Sequence, residues 1–412
     1  MNTTSTTDIT IPHQTYISIF LRFLKFGFLA WGGPVAQIAM LREEMVDEEK
    51  WITPERFNRV LAVYQALPGP EAHELCVYFG MIARGRIGAL LAGLGFMLPG
   101  FVLMLALSWF YLAIGIASPI FHALFLGMQP AVAALIVRAV HRIGGHALHD
   151  HNWLWVIAFT AALAQLLGVN FLITLFISGL IYTFAQRSSA RSGSQTLIDK
   201  KFIPWILLIG FVTYVASIGF SALQADSTQP ALTSALTKPA SLLTLIWSGL
   251  KSGLLTFGGA YTVIPFLRHD AVQIGAWMTD AQFLDGLALS SLLPAPLIIF
   301  STFVGYIGGG VLGAILITIA IFAPSFAFTM IGHEYVEKLV DNKSAHAFLD
   351  GVTAGVVGLI SATALGILIQ TVIGMHAWII FSVGLIVLFR SKAKWTVAAV
   401  VLAAGIYGML FL

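Results

Sequence analysis

The segment Lys25-Phe-Gly-Phe-Leu-Ala-Trp-Gly32-Gly33-Pro34 returns as Lys251-Ser-Gly-Leu-Leu-Thr-Phe-Gly258-Gly259-Ala260. The offset, 258 minus 32, is 226, and it carries Leu41-Arg42 onto Leu267-Arg268, Trp51 onto Trp277, Thr53 onto Thr279 and Phe57 onto Phe283. Leu67-Pro68-Gly69-Pro70 then falls on Leu293-Pro294-Ala295-Pro296, Pro99 on Pro324 after the loss of one residue, and Gly127 on Gly351 after the loss of another. Compositional bias could align leucines, but not Gly, Pro, Trp and Lys together. The chain is one plan used twice, and whatever it folds into must be built from two related halves.

Composition says where those halves sit. Charged residues make up 10% of the chain and hydrophobic ones 58%, against about 25% charged in an ordinary soluble domain, and the mean hydropathy is +0.89. The expectation is an all-α integral membrane protein in contact with the lipid bilayer. A net charge of +3 gives no reason to expect a nucleic-acid partner, and the basic residues cluster between apolar stretches, as membrane topology requires. Cys76 is the only cysteine, which excludes an internal disulfide framework. There is no GxxxxGK[ST] loop, HExxH or paired-cysteine motif, so no cofactor, resident metal or enzymatic activity is expected. His141, His146, His149 and His151 are bunched, but at no metal-ligand spacing.

Stretches near the 17–25 residues that cross a bilayer lie at 16–40, 57–81, 87–114, 119–140, 152–168, 170–186, 203–222, 241–266, 280–306, 309–333, 346–370, 373–390 and 395–411, about thirteen in all. The organisation reads as a cytoplasmic tail (1–15), a first transmembrane repeat (16–186), a linker with one helix (187–240) and a second repeat (241–412). An odd number of spans before the second repeat inserts it upside down, so the topology is expected to be an inverted repeat, the architecture of many secondary transporters. Inverted duplications also serve channels. The Gly-Gly and Pro-x-Pro segments predict discontinuous or re-entrant helices. The Lys/Arg distribution puts the N-terminus inside, with Arg84, Arg86, Arg138 and Arg142, and puts Arg42, Lys50 and Arg56 on the far side. The expected location is the plasma membrane, with the C-terminus external and a homodimer possible.

Candidate site residues follow from the interruptions. Gly32, Gly33 and Pro34, and Gly258 and Gly259, break apolar segments where unwound backbone is tolerated only if it is buried in protein or lines a watery cavity. A helix starting after such a break presents N–H groups and positive dipole to an anion. The competing reading is close helix packing through small residues. Lys25 and Lys251 stand just before the breaks and would make a cationic environment for a doubly charged anion, or snorkel to the interface. Pro68, Gly69 and Pro70, and Pro294 and Pro296 with Ser290 and Ser291, frame small polar sites or simply kink the helices. Glu71, His73 and Glu74 follow the first Pro-Gly-Pro, but Leu297, Ile299 and Phe300 occupy the matched positions in the second copy. These ionisable groups are candidates for proton coupling or gating, with structural hydrogen bonding as the alternative.

The paired blocks Phe20-Leu21-Arg22, Phe26-Gly27, Gly32-Gly33-Pro34, Trp51, Phe57 and Leu67-Pro68-Gly69-Pro70, with Phe257-Gly258-Gly259, Pro265, Trp277, Phe283 and Pro294-Ala295-Pro296 in the second half, resemble the chromate ion transporter family in its long, two-domain form. The resemblance implies efflux of a small inorganic oxyanion, chromate with sulfate as its structural analogue, conferring chromate resistance. By matched position it implies roles for Gly32, Gly33, Pro34, Pro68, Gly69, Pro70, Gly258, Gly259, Pro294 and Pro296. Two features depart from the family's pattern: Ala295 stands where it reads Gly, and Glu71-Ala-His73-Glu74 where it has small and hydroxyl residues.

Overall fold

The computed structural model describes residues 14–115, 118–148, 152–192, 239–257, 259–341, 343–391 and 393–412. The expected linking span at 203–222, Gly258 and all but the end of the 1–15 tail lie outside them. Among the described residues every regular element is helical. The first copy runs α1 (Tyr16–Leu29), α2 (Pro34–Arg42), a π-helical turn (Glu43–Glu48), α3 (Pro54–Ala66), α4 (Glu71–Phe110), a second π-helical turn (Tyr111–Gly115), α5 (Pro119–Ala147), α6 (Asn152–Leu166) and α7 (Phe171–Ser192). The second runs α8 (Leu242–Leu254), a 3₁₀ turn (Ala260–Thr262), α9 (Val263–Arg268), a π-helical turn (His269–Ile274), α10 (Asp280–Ser291), a 3₁₀ turn (Leu297–Ile299), α11 (Phe300–Asp341), α12 (Lys343–Thr371), α13 (Gly374–Arg390) and α14 (Thr396–Phe411).

The duplication reaches into capping and backbone detail. Thr15 and Ser241 cap α1 and α8 through their hydroxyls, and Thr53 and Thr279 do the same for α3 and α10, each satisfying an orphan N–H of the first turn. Lys50 and Ala276 share the left-handed conformation, with φ of 54° and 49°. Inside α4, Arg84 (φ −149°, ψ 29°) and Gly85 (φ 62°, ψ −153°) reverse the chain, and inside α11 Gly309 (φ −156°, ψ 23°) and Gly310 (φ 62°, ψ −154°) repeat the same dihedrals. These are hairpins. Gly80 packs against the Gly88 carbonyl and Gly305 against the Gly313 carbonyl, whereas residues eight apart in a straight helix would be separated by about 12 Å.

Two expected spans, 57–81 and 280–306, are each two helices, parted at Leu67–Pro70 and at Leu293–Pro296. Pro removes the donor that would continue the ladder. The chain likewise breaks between α1 and α2, which corrects the side assigned to the segment after α2. Arg22 of α1 pairs with Glu44 and Glu49, Arg56 donates to the Tyr78 hydroxyl at 3.0 Å, and Arg84 at the α4 hairpin donates to the Gln14 carbonyl at 2.7 Å. Arg42, Lys50 and Arg56 therefore belong to a segment folded back beside α1, at the end that holds the start of α1, not at the opposite end. A sequence pattern cannot distinguish a helix that crosses from one that turns back halfway.

By length and composition four stretches among the described residues could cross a membrane, at Glu71–Ile114, Pro119–Ala147, Leu297–Ile331 and Ala345–Thr371, the first and third of which contain the two hairpins, with shorter apolar helices beside them. The two copies exchange contacts. Gly127 of α5 lies against the Ala404 carbonyl and Gly408 of α14, while its counterpart Gly351 of α12 lies against the Ser178 carbonyl and Tyr182 of α7. Gly351 and Gly355 thus form the small-residue packing face that their spacing suggests. Trp31 meets Trp395 across the copies with ring planes tilted by 37° and centroids 4.2 Å apart, and Phe266 meets Phe171 at 5.1 Å. The two glycine contacts are reciprocal, Ala404 and Gly408 matching Ser178 and Tyr182, as in a pseudo-two-fold pairing.

Candidate functional site

A cleft of about 390 Å³ opens between the copies. One wall is α2 and α3, through Pro34, Val35, Ile38, Ala62 and Gln65; the other is α5 and α12, through Ala139, Arg142, Ile143, His146, His346, Asp350 and Thr353. Glu71, Gly259 and Tyr261 also line it. Both helix breaks therefore reach one space, from opposite copies.

The backbone at these breaks is special. Gly33 has φ 78° and ψ −175° and Gly259 has φ 113° and ψ 166°, a region essentially reserved for glycine. A Cβ added at either would meet nothing within 4 Å. Glycine is required at these two positions by backbone conformation and not by packing. Gly32 differs: it is also left-handed, at φ 90°, but a Cβ there would crowd Ala36 and the Lys394 backbone. Pro34 follows as the first residue of α2, where its missing N–H costs nothing. The first turn of α2, the end that carries free N–H groups and the positive dipole, lines the cleft through Pro34 and Val35, and the turn that leads into α9 lines it from the other copy through Gly259 and Tyr261.

Arg142 adds a full positive charge. It is half-buried and lines the cleft, it interacts electrostatically with Glu71, and among the described residues it forms no ion pair. Asp350, on the opposing helix, is paired with His346 at 3.0 Å. Sequence reasoning placed Arg142 only as a topological marker. The signal that would have singled it out is divergence: Gly366 stands at the matched position of α12, and Ala362 stands where α5 has Arg138.

The structure brings Pro34, Glu71 and Gly259 together and leaves other candidates elsewhere. Lys25 pairs with Glu44 at 3.5 Å and Lys251 with Asp270 at 2.5 Å, in equivalent places, so neither amine joins the cleft. Ser290 and Ser291 both donate to the Leu287 carbonyl. Pro68, Gly69 and Pro70 form the turn before α4, where the Gly69 N–H donates to the Thr256 carbonyl of the other copy at 2.8 Å; Pro294 and Pro296 form its counterpart. His73 and Glu74 are fully buried behind Glu71. The His73 ring sits among Phe96, Phe322 and Phe326, with the Gly93 backbone beside it, and neither Glu74 carboxylate oxygen has a hydrogen-bond partner.

A family profile described as chromate transporter matches residues 17–183 and again 243–409, covering both copies. The chain belongs to the chromate transporter family. A chromate transport protein of Pseudomonas aeruginosa is 52% identical over 99% of this chain and 95% of its own length. One of Cupriavidus metallidurans is 26% identical over 97% and 94%, and an uncharacterized transporter of Methanocaldococcus jannaschii is 29% identical over 96% and 94%. No solved structure matches the chain. Family membership and the apolar helices make this chromate transporter family member a multi-pass membrane protein.

Proposed function

We propose that the protein exports chromate, or a similar tetrahedral oxyanion such as sulfate, from the cytoplasm across the plasma membrane. The observation that carries this reading is the convergence of two glycine-broken segments, at Gly33 and Gly259, on one cleft beside Arg142. N–H groups at a helix start suit an oxyanion, and a guanidinium matches its paired oxygens in geometry and charge. Two inverted copies that meet at such breaks, with helices that enter and turn back, are a known route to alternating access; the reciprocal contacts support that arrangement, with the N-terminus cytoplasmic. Export is downhill: at about 2.3 kcal/mol per charge per 100 mV, a dianion leaving a cell that is negative inside gains roughly 4.6 kcal/mol.

The test is chromate accumulation by everted membrane vesicles with and without an imposed potential, with sulfate as competitor. Potential-driven uptake that is lost in Gly33→Leu and Gly259→Leu, with normal membrane insertion, is the expected result. Equal uptake by those variants would remove the site; no uptake by the intact protein would remove the substrate and direction.

The second reading is a proton-coupled anion importer or exchanger, favoured by Glu74, a buried carboxylate with no hydrogen-bond partner where the second copy has Phe300. In this reading Glu71, His73 and Glu74 relay a proton, so a pH gradient changes the flux and Glu71→Gln or Glu74→Gln abolishes that change. Flux indifferent to the gradient would exclude it.

A further inference from the structure

Among the described residues, the positions matched to the cleft walls are differently exposed in the two copies. The first-copy walls are open: Val35, Ala62 and Gln65 are exposed. Their matched residues are Tyr261, Ala288 and Ser291, of which Ala288 and Ser291 are buried, and α9 is buried from Val263 to Leu267. Two halves of one plan stand in different states, one parted and one closed.

A polar clamp holds the closed end. Asp285 of α10 is 7% exposed; its Oδ2 accepts from the Tyr111 hydroxyl at 2.8 Å and its Oδ1 from the Gln129 amide at 3.0 Å. Tyr111 follows α4 and Gln129 lies on α5, so both donors come from the first copy and the acceptor from the second. Gln129 and Arg142 are thirteen residues apart on α5, roughly 20 Å along a helix, which sets the clamp well away from the cleft mouth. The matched residues at the open end are Arg59 for Asp285 and Thr353 for Gln129. Arg59 is exposed, Thr353 lines the cleft and donates to its own helix at the Leu349 carbonyl, and α3 and α12 touch far less than α10 and α5 do.

We infer that Asp285, Tyr111 and Gln129 are the gate that shuts the far end while the cleft is open, and that transport requires the clamp to part as α3 closes on α12. A buried carboxylate with two donors is stable when complete and costly once a donor is removed, so a single deleted partner shifts the balance between the two states. This rests on the transport reading, but it is testable without substrate.

The test is labelling by a charged, membrane-impermeant maleimide of detergent-purified protein carrying Cys76→Ala and one reporter, either Ala62→Cys at the cleft or Ala288→Cys beside the clamp. With the clamp intact, Ala62→Cys labels readily and Ala288→Cys is protected. Adding Tyr111→Phe, which removes one oxygen, is expected to raise labelling at Ala288→Cys at least about tenfold, the ratio of a 1.4 kcal/mol shift, and to lower it at Ala62→Cys. Asp285→Asn is the second variant and is expected to act in the same direction. Protection of Ala288→Cys unchanged by Tyr111→Phe in a monodisperse protein would overturn the gate, as would exposure of both reporters together, which would report loosening and not exchange. A protein that passes this test but moves no chromate would leave the gate standing and remove the substrate.

Discussion

Gly69, in the Pro-Gly-Pro turn of the first copy, lies so close to Ser325 of α11 that a Cβ on Gly69 would stand 2.9 Å from the Ser325 hydroxyl. At the matched contact the sizes are reversed: Ala295 of the second turn faces Gly100 of α4, where a Cβ would come within 2.5 Å of the alanine methyl. The one departure from Pro-Gly-Pro is thus compensated across the copies by a glycine in the opposing helix. The space freed at Gly69 holds the Glu74 carboxylate, which has no counterpart at Phe300.

Gly100→Ala is expected to destabilise the protein by about 1–3 kcal/mol through overpacking, and adding Ala295→Gly to recover much of the loss. Thermal unfolding in detergent, arranged as a double-mutant cycle, measures the coupling; additive effects would show that the two residues do not compensate.

The two equivalent lysine pairs differ in burial and so in worth. The Lys25 side chain is 62% exposed, and Lys25→Ala is expected to cost about 0–1 kcal/mol. Lys251 and Asp270 are 14% and 10% exposed in their side chains, and Lys251→Ala leaves Asp270 buried and unpaired, at a cost of about 3–5 kcal/mol. Unfolding midpoints of the two variants compare them directly, and equal losses would contradict this assignment.

Arg142→Ala is expected to weaken oxyanion transport about 10–100-fold, the equivalent of a charge-assisted hydrogen bond of roughly 1.5–3 kcal/mol, without loss of insertion. Arg142→Lys keeps the charge but not the planar fork, and should recover only part. Initial rates across a chromate concentration series separate these outcomes; full activity of Arg142→Ala would take Arg142 out of the site.

Glu74→Gln is expected to leave thermal stability unchanged or raised, because a buried carboxylate without partners stabilises nothing. Its effect should fall on the response of flux to a pH gradient. A large drop in unfolding temperature would instead assign Glu74 a structural role.

The duplication, the membrane class, the family resemblance and the helix breaks were all legible in the residues, because each rests on local chemistry: hydrophobicity sets the solvent, Pro and Gly set the backbone, and repeated spacing needs no coordinates. Pro34 and Gly259 were reachable as cleft residues for the same reason, and the divergence of Glu71, His73 and Glu74 from the second copy was visible as well. The return of the segment after α2 to the end where α1 begins was not legible, because Arg22, Glu44 and Glu49 become neighbours only once the break at Gly33 has reversed the chain. Lys25 and Lys251 read as free charges because their carboxylates sit nineteen positions further along, a spacing without meaning in a helix. The clamp on Asp285 and the contact between Ala295 and Gly100 belong to the tertiary structure alone. Each depends on which side chains two distant segments bring into contact, and a pairing of two related sequences leaves open which end is parted and which is closed until the whole molecule is packed.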